Sequence, residues 1–179
     1  IETDDDNFPL NKFLERNSSK LTCDCISGNE WINAYSFFTK NKKDFIWPRG
    51  FPLEKVKSNS DALIKKRKFV NVPIQQGLAN NNPDVDAVYR MICELPFDFE
   101  EMPDIALEKY CWCPFNSQVT TWFQEAFSLM YLPSTCTFRM TDIWRSFIAQ
   151  RILWEDESNI LFHSPSVYQK RNEHNLHND

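Results

Sequence analysis

Only three glycines occur in these 179 residues, Gly28, Gly50 and Gly77. None of them forms GxGxxG or a GK[ST] loop, so neither a Rossmann dinucleotide site nor a P-loop can be built from this chain. No apolar run approaches the roughly 20 residues that a membrane-spanning helix needs. The sequence carries neither an initiator Met nor a signal peptide. It opens Ile1-Glu2-Thr3-Asp4-Asp5-Asp6, a β-branched residue leading into three carboxylates, which reads as the end of a strand entering a loop.

Hydrophobic residues make up 42% of the chain and aromatics 15%, enough for a packed core. The formal charge of −5 argues against nucleic acid as a partner. The one basic cluster, Lys65-Lys66-Arg67-Lys68, reads as a solvated face. Six cysteines include the pairs Cys23/Cys25 and Cys111/Cys113. Their spacing is a poor match to a zinc site. The even count suits disulfides or buried free thiols equally. Asn17-Ser18-Ser19 is a glycosylation sequon.

Residues 7–29 are polar and turn-rich and read as a loop. Residues 30–38 form a short helix candidate, and Phe45-Ile46-Trp47 a brief strand stopped by Pro48. Trp47-Pro48-Arg49-Gly50-Phe51-Pro52-Leu53 is a shaped loop, and 69–74 is extended. Asn82 can cap a helix with Pro83 in its first turn, Asp84 and Asp86 complementing the dipole and Val85, Val88, Tyr89 and Ile92 on one face. The spacing of Val119, Trp122, Phe123, Ala126, Phe127 and Met130 predicts a helix over 117–130, with Trp122, Phe123, Ala126 and Phe127 in the core. Thr141 can cap another helix bearing Ile143, Trp144, Phe147, Ile148 and Ile152. Ile160-Leu161-Phe162 is a short buried strand ending at His163, and a polar tail begins near residue 170. Alternating helices and short strands give an α/β class.

Four sets of residues have the chemistry for a site. In an extended segment Asp4 and Asp6 share a face and can aim at one Mg²⁺ or Mn²⁺, with Asp5 turned away. Asp142, just inside a helix start, is a candidate general base or an acceptor for a sugar hydroxyl. Arg145, one turn on, can pair with it or hold a phosphate. His163 follows an apolar run, whereas His174 and His177 sit in the polar tail; a neutral imidazole ligates Mn²⁺ well beside carboxylates. Trp47, Trp112, Trp144 and Trp154 can stack on sugars or simply fill the core.

Taken in order, several stretches resemble the STELLO-like glycosyltransferase family. They are Glu2–Asn7, Trp47–Leu53, Gln75-Gln76-Gly77-Leu78, Asn82-Pro83-Asp84-Val85-Asp86-Ala87, Pro114–Gln118, Leu132-Pro133, Phe138–Arg145 and Phe162-His163-Ser164-Pro165. The same order is similar, more distantly, to the reversibly glycosylated polypeptides, which are UDP-arabinopyranose mutases. Both resemble the GT-A plan, with an Asp-x-Asp at a strand end, an acceptor-side carboxylate and a late metal-binding His.

The resemblance implies a GT-A-like α/β fold without its N-terminal nucleotide-binding half, so that 1–179 is the metal-motif and acceptor-side part of a catalytic domain. It implies metal-dependent transfer of a sugar from a nucleotide-sugar donor, UDP-linked, to a hydroxyl on a glycan, protein or lipid acceptor, with Mn²⁺ or Mg²⁺. Asp4, Asp6 and His163 become metal ligands and Asp142 the catalytic carboxylate. Asp5, Arg49, Gly50, Asp86 and Arg145 become contacts to the donor sugar or diphosphate. A Golgi membrane setting with a lumenal catalytic domain, and protein partners there, follow from the same resemblance. The alternatives are a non-catalytic Golgi scaffold on this fold and a UDP-sugar mutase. Expressed alone, the chain is expected to expose an apolar patch, to be unstable and to lack transfer activity.

Overall fold

The structure, a computed structural model, describes residues 1–28, 30–40, 45–57 and 64–170. His174, His177 and the tail beyond 170 lie outside the described residues. One mixed sheet organises the chain. Its strands are β1 (Glu2–Thr3), β2 (Asn7–Pro9), β3 (Lys20–Ser27), β4 (Ile64–Asn71), β5 (Ile74–Asn80), β6 (Ile105–Leu107), β7 (Val119–Trp122) and β8 (Ile160–Gln169). They run in the order β1-β7-β5-β8-β6-β3-β4, with β2 paired to β8 off this path. β5 and β8 are parallel, as are β3 and β6, and the remaining pairs are antiparallel. Helices α1 (Ala87–Ile92) and α2 (Thr141–Leu153) and several 3₁₀ turns complete the α/β fold that the sequence predicts. Among the described residues, no helix is long and apolar enough to cross a membrane.

The central strands are buried on both faces, so their sequences do not alternate cleanly. Along β8 every residue from Ile160 to Val167 is buried. Pro165 lies in this strand because the register with β5 shifts around it: Gly77 pairs with His163, Leu78 with Pro165 and Ala79 with Val167. A bulge is where a sheet tolerates a residue with no N–H to donate.

Several expectations are overturned. Residues 7–29 are not all loop: they hold β2 and the eight-residue β3. Leu21, Cys23 and Cys25 lie on one face of β3 against Val70, Val72, Ala106 and Leu161, an alternation legible once Cys is counted as apolar. No helix spans 117–130. Val119-Thr120-Thr121-Trp122 form a strand between β1 and β5, and a 3₁₀ turn follows over Gln124–Met130. The β-branched run sets the backbone there, and the apparent 3.6-residue period is a coincidence of a doubly buried strand with a partly exposed turn. Trp122 and Ala126 are buried, Phe123 is half-buried and Phe127 is exposed. Phe45-Ile46-Trp47 forms no strand, and the helix in residues 30–38 is a 3₁₀ turn, Ala34–Phe38, after a β-bridge from Trp31 to Trp112.

Helix caps also move. Asp86, not Asn82, caps α1, accepting from Val88 N at 2.7 Å. Thr141 does not cap α2; its hydroxyl donates to the Phe138 carbonyl. The buried face of α2 carries Asp142, Ile143, Arg145, Ser146, Ala149 and Gln150, while Trp144, Ile148 and Ile152 face outward. Most of the polar groups buried there are partnered; Gln150 Oε1, for example, accepts from Cys113 N at 3.2 Å. All six cysteines are free. Lys65 pairs with Asp24 and Lys68 with Glu108 along exposed β4.

Candidate functional site

The first strand, the start of α2 and the last residue of β8 enclose a cleft of about 830 Å³. Asp4, Asp5, Asp6, Arg49, Gly50, Asp86 and Asp142 all line it, together with Glu2, Asp84, Ser117, Gln118, Phe138 and Gln169. Pieces far apart in the sequence therefore meet at one place.

Asp4 to Asp6 are not extended. Glu2–Thr3 pairs with β7, the chain then turns at Asp5 and Asp6, and β2 begins at Asn7. The turn is pinned by Asp4 N to Gln118 O at 3.2 Å and by Asn7 Nδ2 to the same carbonyl at 2.5 Å. Asp4 and Asp6 nevertheless converge: Gln169 Nε2 donates to Asp4 Oδ2 at 3.2 Å and to Asp6 Oδ1 at 2.8 Å. Asp5 stands at the exposed corner of the turn. Desolvation by the cleft walls, followed by repulsion from Asp84, Asp6 and Asp142, pushes the Asp4 carboxyl up to about 6.

Arg49 organises the opposite side. Nε and Nη2 grip Asp84 at 2.8–3.1 Å, and Nη1 and Nη2 reach Asp142 at 3.1 and 2.7 Å. Nη1 also donates to the Arg139 carbonyl. Every N–H of the guanidinium is thus used within the protein. Burial works against the charge, but Asp84 and Asp142 more than offset it and hold the pKa above the usual arginine range. Gly50 makes the approach possible. Its φ is +82°, and a Cβ there would lie 2.5 Å from Ile143 Cγ2 on α2.

Asp142 is occupied as fully as Arg49. Besides the guanidinium, Ser117 N reaches Oδ2 at 3.2 Å and its neighbour Ile143 N reaches Oδ1 at 3.0 Å. A carboxylate with all four acceptor positions engaged holds its neighbours in place. Arg145 pairs with Glu2 rather than with Asp142, through Nη1 to Oε1 at 2.9 Å and Nη2 to Oε2 at 2.8 Å. Only 2% exposed and lying over the Trp122 ring, it supports Glu2 from behind and does not line the cleft. Asp86 lines the cleft but spends Oδ1 on capping α1.

His163 is elsewhere. It sits six residues before Gln169 on β8, on the order of 20 Å away at about 3.3 Å per residue. It is 3% exposed, with Nδ1 2.8 Å from the Ser164 carbonyl. Burial, then the charge of Arg16, pushes it down to about 4, so it is neutral. Gly77 makes room for the ring: a Cβ at residue 77 would come 2.8 Å from His163 Cε1 and 2.7 Å from Ser166 Oγ. None of Trp47, Trp112, Trp144 and Trp154 lines the cleft. Sequence reasoning missed Asp84, Glu2 and Gln169. Asp84 stood in the same Pro-Asp-x-Asp piece as Asp86, while nothing local marks Gln169, which closes an apolar strand.

No family model matches this sequence. Two proteins of Arabidopsis thaliana do. Probable glycosyltransferase STELLO2 is 33% identical over 145 residues and probable glycosyltransferase STELLO1 is 30% identical over 146; each match takes in 77% of this chain. The chain belongs to the STELLO-like family. It spans about a fifth of these relatives' length, 19% and 18%.

Proposed function

We propose that the cleft is the metal and acceptor side of a glycosyl-transfer site, acting on a nucleotide-diphosphate sugar, UDP-linked, and an acceptor hydroxyl. The observation that carries this reading is the meeting of Asp4, Asp6, Asp84, Asp86 and Asp142 around Arg49 in one cleft. Two relatives named as probable glycosyltransferases support it. In the reaction, the acceptor oxygen bonds to the anomeric carbon of the sugar. The bond from that carbon to the diphosphate oxygen breaks, and the nucleoside diphosphate leaves with the electron pair. The acceptor proton passes to a carboxylate of the acidic wall.

Charge argues for a divalent cation. Seven carboxylates line the cleft (Glu2, Asp4, Asp5, Asp6, Asp84, Asp86 and Asp142) against three guanidiniums (Arg49, Arg90 and Arg139). Arg49 is committed internally, and Arg90 donates to the Pro83 carbonyl at 2.8 Å. A diphosphate entering this field meets repulsion unless an ion comes with it. Asp4 and Asp6 fit such an ion, since their oxygens already converge on one donor nitrogen. Among the described residues no three His, Cys, Asp or Glu side chains group to hold a metal alone. Two carboxylates with water and phosphate oxygens are a set that Mg²⁺ accepts. A bound Mg²⁺ or Mn²⁺ offsets the charge developing on the leaving diphosphate. Asp142 and Arg49 fix the acceptor wall, and Gln169 yields the position between Asp4 and Asp6. The Golgi lumen as the setting belongs to this proposal and rests on the family resemblance.

The test is release of UDP from UDP-sugars by the complete polypeptide, with Mn²⁺ or with EDTA. Metal-dependent turnover that Asp4→Asn and Asp6→Asn each reduce by at least about a hundredfold is expected. Undiminished turnover in the double variant overturns the assignment.

A further inference from the structure

The cleft has a second wall that the carboxylates do not explain. Phe138, Leu132 and Met140 line it beside the acidic residues. Phe138 is 89% exposed, the highest value for a large apolar side chain among the described residues. A single exposed apolar residue is ordinary on a protein surface. Its backbone is held in place. It opens the 3₁₀ turn Phe138–Met140 that runs into α2. Thr141 Oγ1 donates to its carbonyl at 3.0 Å, and Met140 N closes the turn on the Thr137 carbonyl at 2.8 Å. Arg49 donates to the carbonyl of the next residue, Arg139. The guanidinium that grips Asp84 and Asp142 therefore also fixes the backbone under this ring. An aromatic side chain with only two χ angles, on a fixed backbone at the lip of a polar cleft, is a preorganised surface.

We propose that Phe138 is a stacking platform for a sugar ring bound in the cleft. A pyranose has an apolar C–H face and a rim of hydroxyls. The phenyl face takes the first, and the carboxylates across the cleft accept hydrogen bonds from the second. The assignment deepens the glycosyl-transfer reading and rests on it. The ring can belong to the donor sugar or to a sugar of the acceptor, and the chemistry recognised is the same.

Because Phe138 is so exposed, Phe138→Ala removes the platform without opening a cavity, and the melting temperature should be unchanged. Binding is measured by calorimetry on the complete polypeptide with Mn²⁺, using UDP, UDP-glucose and maltohexaose as probes. Phe138→Ala should leave the UDP affinity within about twofold and weaken UDP-glucose or maltohexaose by about five- to tenfold, the scale of one aromatic contact. Phe138→Trp should restore it. Loss confined to UDP-glucose places the ring on the donor; loss confined to maltohexaose places it on the acceptor. Wild-type affinity of Phe138→Ala for both sugar probes refutes the platform and leaves the glycosyl-transfer reading standing. Failure of the wild-type protein to bind UDP or UDP-glucose overturns both.

Discussion

One strand joins two polar regions of opposite electrostatic character. At the end of β8, Gln169 reaches into a cleft whose carboxylates outnumber its guanidiniums and where Asp4 and Asp5 stand exposed to water. In the middle of β8, His163 is sealed under Gly77 and is held neutral. By residue type both look like parts of a metal site. The difference is compensation: the cleft keeps negative charge that an ion can neutralise, whereas the sheet interior admits the imidazole only by expelling its charge. Chemistry-bearing side chains make a site where charge stays incompletely balanced and accessible, and make structure where it is balanced or removed.

The sharpest way to break this contrast is at the one fully compensated point of the cleft. Arg49→Ala leaves Asp84 and Asp142 facing each other in a largely enclosed space. It should cost about 3–5 kcal/mol in urea denaturation. A cost below about 1 kcal/mol would mean that the three groups are solvated independently.

Acid should next separate the two regions. His163 has a folded pKa lowered to about 4 from an ordinary 6.5, so the unfolded chain binds the proton first. Its contribution is complete above pH 6.5 and is lost as pH falls toward 4, about 3 kcal/mol in all. His163→Gln should flatten that part of the stability–pH curve; an unchanged slope would place the titration elsewhere.

Gly77→Ala drives a methyl group into His163 and Ser166 and should cost about 1–3 kcal/mol by overpacking. A neutral effect would show that the interior of β8 yields easily.

The smallest effect has the opposite sign. Asp4 is an acid with a raised pKa of about 6, so its charge opposes folding above that pH and the penalty fades as pH falls toward 3.8. In EDTA, Asp4→Asn should stabilise the protein by about 1 kcal/mol at pH 7, after allowance for solvent screening, and by almost nothing at pH 4. Destabilisation at pH 7 would show that the Gln169 bridge outweighs the repulsion.

The sequence carried the site further than the fold. Asp4, Asp6, Arg49, Gly50, Asp86 and Asp142 were legible because each lies in a short, turn-forming piece with unusual composition, and the order of those pieces is distinctive. Their partners were less visible. That Arg49 rather than Arg145 meets Asp142 depends on the turn at Gly50, and Glu2 claims Arg145 through a contact 143 residues apart in sequence. His163 misled because an apolar run ending in histidine looks the same whether the strand stops there or continues to Gln169. Helix 117–130 failed because a strand buried on both faces has no alternation to oppose a chance helical period. In α2 the outward face carries Trp144, Ile148 and Ile152, so hydrophobicity alone pointed the helix the wrong way.

The central claim is that the ion site is Asp4 with Asp6 and excludes His163. Titration of Mn²⁺ into the complete polypeptide with UDP present, followed by the loss of the free Mn²⁺ electron paramagnetic resonance signal, tests it directly. The wild-type protein and His163→Gln should bind with the same affinity, and the Asp4→Asn/Asp6→Asn double variant should not bind measurably. Retained binding in the double variant, or its loss in a folded His163→Gln protein, would contradict the account.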